Sequence, residues 1–211
     1  MRILLIFFFA LFANSCWSQN VIGFIDGQIS PVELETSKEI YTDDISSLRV
    51  EISEWFLKVY VKAEEMYVAS ICICQGDQVD VFHASAALGK ISYAREGDRW
   101  VTNDSFVFSM RETAMDLETI KLRENYFREN GWLANTMEMG EKGEVEFILD
   151  KSQFSGSTLK IANGIMLASD PENILGQPSQ ANDCVAHSLV SGSPKSSYQF
   201  VPEDWIGLTI P

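Results

Sequence analysis

Few residues in this 211-residue sequence could do chemistry, because it holds only two histidines and four cysteines. His83 lies in Val79-Asp80-Val81-Phe82-His83-Ala84-Ser85. Period-two spacing puts it on one strand face with Val79, Val81 and Ser85. A lone histidine in such a run is more readily a hydrogen-bonded side chain than a ligand. His187 closes Cys184-Val185-Ala186-His187, which offers two of the four ligands zinc wants. Only His83 or the Cys72 and Cys74 pair could complete that set, and no spacing brings them together, so no metal site is expected. Asn103-Asp104 and Asp170-Glu172-Asn173 could supply oxygen ligands to calcium, although such clusters usually form turns. No cofactor is required by the sequence.

No nucleophile elbow, P-loop, dinucleotide fingerprint, HExxH or EF-hand spacing occurs. A triad assembled from distant residues stays open, but the expectation is a protein that binds rather than catalyses. The aromatics are then the leading binding candidates. Trp100, Trp132 and Trp205 each stand at the end of an expected strand beside turn residues. Leu88-Gly89-Lys90 reads as a turn, and so does Arg95-Glu96-Gly97-Asp98. Together these would bring Tyr93 and Trp100 to the strand that carries His83 and Ser85. Two rings, an imidazole and a hydroxyl suit a neutral polyol. His83, Ser85, Tyr93 and Trp100 are the expected ligand-binding residues. The competing reading is that the rings are core packing, as most tryptophans are.

The elements that must position these residues are mostly short strands. Trp55 to Lys62 alternates cleanly, with Trp55, Leu57, Val59 and Val61 on one face and Phe56, Lys58, Tyr60 and Lys62 on the other. Met66 to Cys74 is apolar on both faces and reads as a central strand paired with it. Val79 to Ser85, Ile91 to Ala94, Arg99 to Val101, Phe106 to Arg111, Trp132 to Met139, Glu144 to Leu149 and Leu159 to Leu167 follow, with hairpin turns at Arg95-Asp98 and Gly140-Gly143. A last strand is expected within Tyr198 to Ile210. Ser30-Pro31-Val32-Glu33 has the signature of a capping box and starts a short helix. Thr113 to Asn130 is the one long helix, stopped by Gly131, with apolar residues on two sides. Residues 169–197 are loop-rich. The layout predicts an antiparallel β-sandwich with one longer helix inserted at 113–130.

Phe24-Ile25-Asp26-Gly27-Gln28-Ile29-Ser30-Pro31-Val32-Glu33-Leu34 resembles the opening of family 9 carbohydrate-binding modules, which are related to the DOMON group. Those domains begin with an Ile-Asp-Gly turn and a short helix containing Glu-Trp; Leu34 stands here in place of the Trp. Leu57 to Ala69 resembles their second hairpin, with Met66 in a leucine position. The resemblance is specific over residues 22–70 and general in layout to 211. It implies a β-sandwich. Some relatives bind sugars between aromatic rings with calcium nearby, and others bind haem.

The N-terminus sets the compartment. Met1-Arg2 is a positive start, and Ile3 to Ala13 is an apolar run of 11 residues, short of the roughly 20 needed to cross a bilayer. Residues 1–18 read as a signal peptide cleaved after Ser18, leaving 19–211 as a single sandwich domain in the secreted, periplasmic or envelope space. Lipidation at Cys16 is the alternative. Without Arg2, 15 basic residues face 30 acidic ones, a net charge of −15. Nucleic acid is an unsuitable partner for such a surface, and no later segment approaches transmembrane length. Cys72 and Cys74 share a strand face and cannot easily bridge each other. One of them could pair with Cys184, or all three could be small buried hydrophobes. The expected function is a non-catalytic secreted or envelope module that binds carbohydrate. A structural or assembly protein that binds another envelope protein is the alternative, and haem or metal binding is a third reading.

Overall fold

The computed structural model describes residues 25–102, 107–110, 116–136, 142–154, 158–171, 174–179, 181, 184 and 197–211. The expected signal peptide, His187, Asn103-Asp104 and Glu172-Asn173 lie outside them, as does most of the loop-rich segment.

The alternating run predicted around Leu57 forms β3 (Phe56–Glu64). Its Leu57, Val59, Val61 and Ala63 are buried in the main core, while Lys58 and Lys62 point the other way. Trp55 departs from expectation. It precedes the strand, in a turn closed by Ser53 N–H donating to the Phe56 carbonyl, and is 59% exposed. β3 lies at the centre of a five-stranded antiparallel sheet in the order β1 (Lys38–Thr42), β2 (Ser46–Ile52), β3, β10 (Lys142–Asp150), β9 (Trp132–Asn135). Phe147 of β10 stands opposite Val59, so the two strands bury the same face.

The second sheet is built on β4 (Met66–Gln75), the run expected to be central. It pairs with β5 (Gln78–Ala84) on one side and β11 (Thr158–Leu167) on the other. β6 (Ala87–Glu96), β7 (Arg99–Thr102) and β13 (Ser197–Tyr198) extend it beyond β5, with β8 (Val107–Met110) also on β6. Beyond β11 come β12 (Ile174–Gln177) and β14 (Ile206–Thr209). All pairings are antiparallel, so the expected mainly β, antiparallel sandwich is what the chain forms. The turn expected at Leu88-Gly89-Lys90 is absent: β6 runs straight through it, and the chain reverses at Ser85-Ala86, where Ser85 N–H donates to the Ala87 carbonyl. Gly89 stands within the strand, opposite His83.

Ile71 and Ile73 of β4 face the first sheet, and Cys72 and Cys74 face away from it. The second face carries its own core of Val79, Val81, Ile91, Tyr93 and Trp100, covered by Ala181, Cys184, Phe200 and Trp205 from the C-terminal segment. A Cys72–Cys184 disulfide, with Cα atoms 5.7 Å apart, fastens that cover to the sheet. Cys74 keeps its thiol, buried and pushed up to about 11 chiefly by burial.

Two helices flank the first sheet. α1 (Pro31–Thr36) has the predicted capping box between Ser30 and Glu33. α2 (Leu117–Asn130) starts at an Asp116 cap, later than Thr113, and stops at Gly131, whose φ of 69° suits glycine. It rests on β9 through Tyr126 against Trp132 and reaches β3 through Phe127 against Phe56. Leu117 and Leu122 remain exposed.

The bridge closes a loop between residues 112 apart in sequence. Replacing Cys72 and Cys184 together with Ser should therefore cost about 2–5 kcal/mol of stability in urea unfolding. Cys74→Ala keeps the bridge and should cost about 1 kcal/mol.

Candidate functional site

β1 is the edge strand of the first sheet, and β14 pairs only with β11 among the described residues. Between these two edges the sandwich stays open as a groove of about 540 Å³. Val50, Ile52, Ile206 and Leu208 supply its apolar lining, and Thr36, Lys38, Glu39 and Thr209 bring hydroxyl, ammonium and carboxylate groups to it. The register explains the mixture. Val50 and Leu208 are core-facing residues of their strands and are buried, whereas Lys38, Glu39 and Thr209 are exposed. Arg49 holds Glu39 at 3.0 Å and also donates to the carbonyls of Leu34 and Ser37, which fixes the end of α1 beside the groove. Thr36 Oγ1 donates to Glu51 at 3.1 Å.

Three residues beyond Ile52, the turn before β3 presents Trp55. Its carbonyl accepts from Lys151 N–H, and the Lys151 ammonium donates to the carbonyls of Ser53 and Pro211. These bonds tie the turn to the C-terminus that follows β14, so Trp55 stands at the Ile52 end of the sandwich. Sequence alternation put Trp55 on one strand face with Leu57, Val59 and Val61; the Ser53-Glu54 pair before it was the turn signal that could have placed it outside the strand.

The four residues expected from the sequence form two separated pairs. His83 is 5% exposed, with Ser70 Oγ 3.4 Å from Nδ1 and Ser85 Oγ 3.0 Å from Nε2. Burial pushes its imidazole down to about 4, so it is neutral at pH 7. Ser85 is further occupied by its bonds to Ala87. Tyr93 and Trp100 do meet, through Phe200, whose ring centroid lies 5.0 Å from Tyr93 and 6.1 Å from Trp100. Tyr93 stands opposite Val79, four residues along β5 from His83, or about 13 Å at strand rise. The rings are buried in the second core, and Trp100 Nε1 donates to the Phe200 carbonyl at 3.0 Å. Cys184 is committed to its disulfide, which removes it from a Cys-x-x-His zinc set. Among the described residues, no three His, Cys, Asp or Glu side chains are grouped to hold a metal.

The outer face of the first sheet has a buried carboxyl. Glu146 of β10 is 1% exposed, beneath a strap formed by residues 26–30. Its Oε2 accepts from Gly27 N–H at 2.6 Å, and Glu144 Oε2 accepts from Ile29 N–H at 2.8 Å. Burial pushes Glu146 up to about 9 against the lowering effect of the Gly27 bond, and the Glu33 carboxyl, through its charge and a hydrogen bond to Glu146, and the Asp26 carboxylate add to the rise. The Ile-Asp-Gly turn singled out in the sequence is this strap, with Gly27 at a φ of 86°.

No family model matches the chain, and no curated protein matches it. The resemblance to family 9 modules and the DOMON group is thus carried only as far as the sandwich architecture. Among solved structures, the chain is similar to a "putative carbohydrate-binding protein" from Bacteroides uniformis ATCC 8492, at 12% identity and a TM-score of 0.42, over 88% of this chain and 92% of that one.

Trp100 is enclosed by Phe200, Arg95 and the sheet. Trp100→Ala should cost about 3–5 kcal/mol of stability, read as a lowered melting temperature.

Proposed function

We propose that this chain is a non-catalytic binding module working outside the cytoplasm, which holds a neutral, carbohydrate-like polyol in the groove between β1 and β14. The groove carries this reading. Its volume of about 540 Å³ falls in the range of small-molecule sites, about 300–1,000 Å³. It joins an apolar floor to a few polar groups, the combination that a sugar's two kinds of surface require. Trp55, in the turn three residues beyond the groove residue Ile52, offers an exposed ring on which a sugar face can stack. The net charge of −14 opposes polyanionic ligands and leaves neutral ones. Export is supported by the apolar N-terminal run and by the Cys72–Cys184 bridge, which belongs to an oxidising compartment.

A second reading, docking of another envelope protein, is favoured by the exposed Leu117 and Leu122 on α2. If it holds, Leu117→Glu with Leu122→Glu should remove partners from envelope pull-downs. An unchanged partner list would take the helix out of consideration.

Affinity electrophoresis against neutral polysaccharides tests the leading reading. The wild type should be retarded. Ile52→Trp extends a half-buried floor side chain into the groove and should abolish retardation. Trp55→Ala should weaken binding about tenfold, equivalent to about 1.4 kcal/mol, while melting within a few degrees of wild type. No retardation by any polysaccharide, or equal retardation of both variants, would overturn the assignment.

A further inference from the structure

We propose that residues 26–30 form a latch on the first sheet, and that this latch stays closed only while Glu146 carries a proton. The geometry of the unpaired atoms is the first support. Glu146 and Asn135 are directly opposed across β10 and β9. Glu146 Oε1 and Asn135 Oδ1 are both buried with no hydrogen-bond partner. As a carboxylate, Glu146 would leave bare acceptors on two paired residues of one sheet face. A proton gives the carboxyl a donor where the face otherwise offers only acceptors.

The charges around Glu146 give the second support. From the strap comes Asp26, whose carboxylate already accepts from Gln28 N–H. From α1 comes Glu33, which takes Ser30 N–H and Oγ–H and has Lys58 at 3.8 Å. β10 adds Glu144, which is paired with Lys62 of β3. β3 adds Tyr60, fully buried and donating to Glu51 of β2, and burial holds that phenol above its ordinary value. Arg49 of β2 is committed to Glu39. From α2, Arg123 is a buried cation whose charge acts on Asp116. The charges that act most on Glu146 are the carboxyls of Glu33 and Asp26, and both oppose its ionisation.

The third support is what Glu146 holds. Gly27 N–H bonds to it, and Asn135 Nδ2 donates to the Ile25 carbonyl at 2.9 Å, while Ile25 itself fills the main core. The strap is therefore pinned at Ile25, Gly27 and Ile29, and it is the lid over Glu146. Ionisation would set a buried anion against Glu33 and Asp26, and lifting the strap is the movement that admits water to it.

The sign follows from linkage. Glu146 binds its proton more tightly folded, at about 9, than unfolded, near 4.5. Its contribution is fully present below about 4.5 and is lost as pH rises through about 9. Limited proteolysis of the full chain at pH 7 and pH 10, corrected with an unfolded reference substrate, reads the latch directly. Cleavage between residues 25 and 30 should rise at least tenfold at pH 10 while circular dichroism shows the sheets intact. Glu146→Gln keeps an acceptor for Gly27 and always carries a donor, so it should remove most of that rise. In wild type, carbon-13 NMR of the glutamate carboxyls should show one midpoint near 9. Equal protection of the strap at both pH values, release of Glu146→Gln with the wild-type profile, or ordinary midpoints for every glutamate would each overturn the latch.

Discussion

A strand that is apolar on both faces has to be covered twice, and that constraint on β4 organises the molecule. Ile71 and Ile73 require one partner layer, and Cys72 and Cys74 require another. The first sheet supplies one through Leu57, Val59, Val61 and Phe147. Among the described residues the other has no sheet against it. It is covered by Ala181, Cys184, Phe200 and Trp205, which lie outside helix and strand and bring two rings across the strands. Irregular chain is a poor cover, because it gains less from its own backbone hydrogen bonds and loses more entropy when fixed. The disulfide at Cys184 limits that loss by tying the segment to β4 itself. The bridge and the aromatic group around Phe200 are thus two parts of one solution.

The outer face of the first sheet poses the opposite problem. It is polar, with Arg49, Glu51, Lys58, Lys62, Glu144 and Glu146 in neighbouring rows. Such a face could remain in water, yet the strap and α1 lie on it and bury Tyr60 and Glu146 completely. Burying a carboxyl is tolerable if it is neutral or paired. The backbone amides of Gly27 and Ile29 each take one oxygen, Oε2 of Glu146 and Oε2 of Glu144, and Glu146 Oε1 is left over. The Ile-Asp-Gly motif can therefore be understood without reference to any ligand. Ile25 anchors, Asp26 shapes the turn, and Gly27 allows the backbone to approach Glu146.

Where burial dictates a residue's character, the sequence shows it. β3 and β4 were legible because alternation and two-faced apolarity follow directly from their positions, and the α1 cap was legible because its hydrogen bonds are local. β1, β2 and β12 were not read as strands. β1 is an exposed edge with a register shift, so little of its pattern is set by the core. β2 alternates through Leu48, Val50 and Ile52, but its intervening residues bond to α1 and β1 and look like loop chemistry. The same limit explains the site. Tyr93, Trp100 and His83 have the residue types of a binding patch, and nothing local distinguishes a ring buried under Phe200 from a ring open to solvent. The groove depends on two edges more than 150 residues apart, and no spacing within one segment encodes it.

That the opening lies at β1 and β14 follows from how sandwiches end. Two twisted sheets can be packed face to face along their centres, but they diverge at their margins. A margin must then be closed by a bulky side chain, a crossing loop or an additional strand, or it remains open. At the β9 margin, α2 lies along the edge and Trp132 and Tyr126 fill the space. At the β1 margin, the residues available are Val50, Ile52, Ile206 and Leu208, none large enough to bridge the gap, and Gly207 has no side chain at all. A Cβ on Gly207 would meet nothing within 4 Å. The strands facing this gap therefore leave apolar surface accessible beside Lys38, Glu39 and Thr209. Such surface is costly in water, and a ligand with one apolar and one hydroxylated side can cover it without disturbing either sheet.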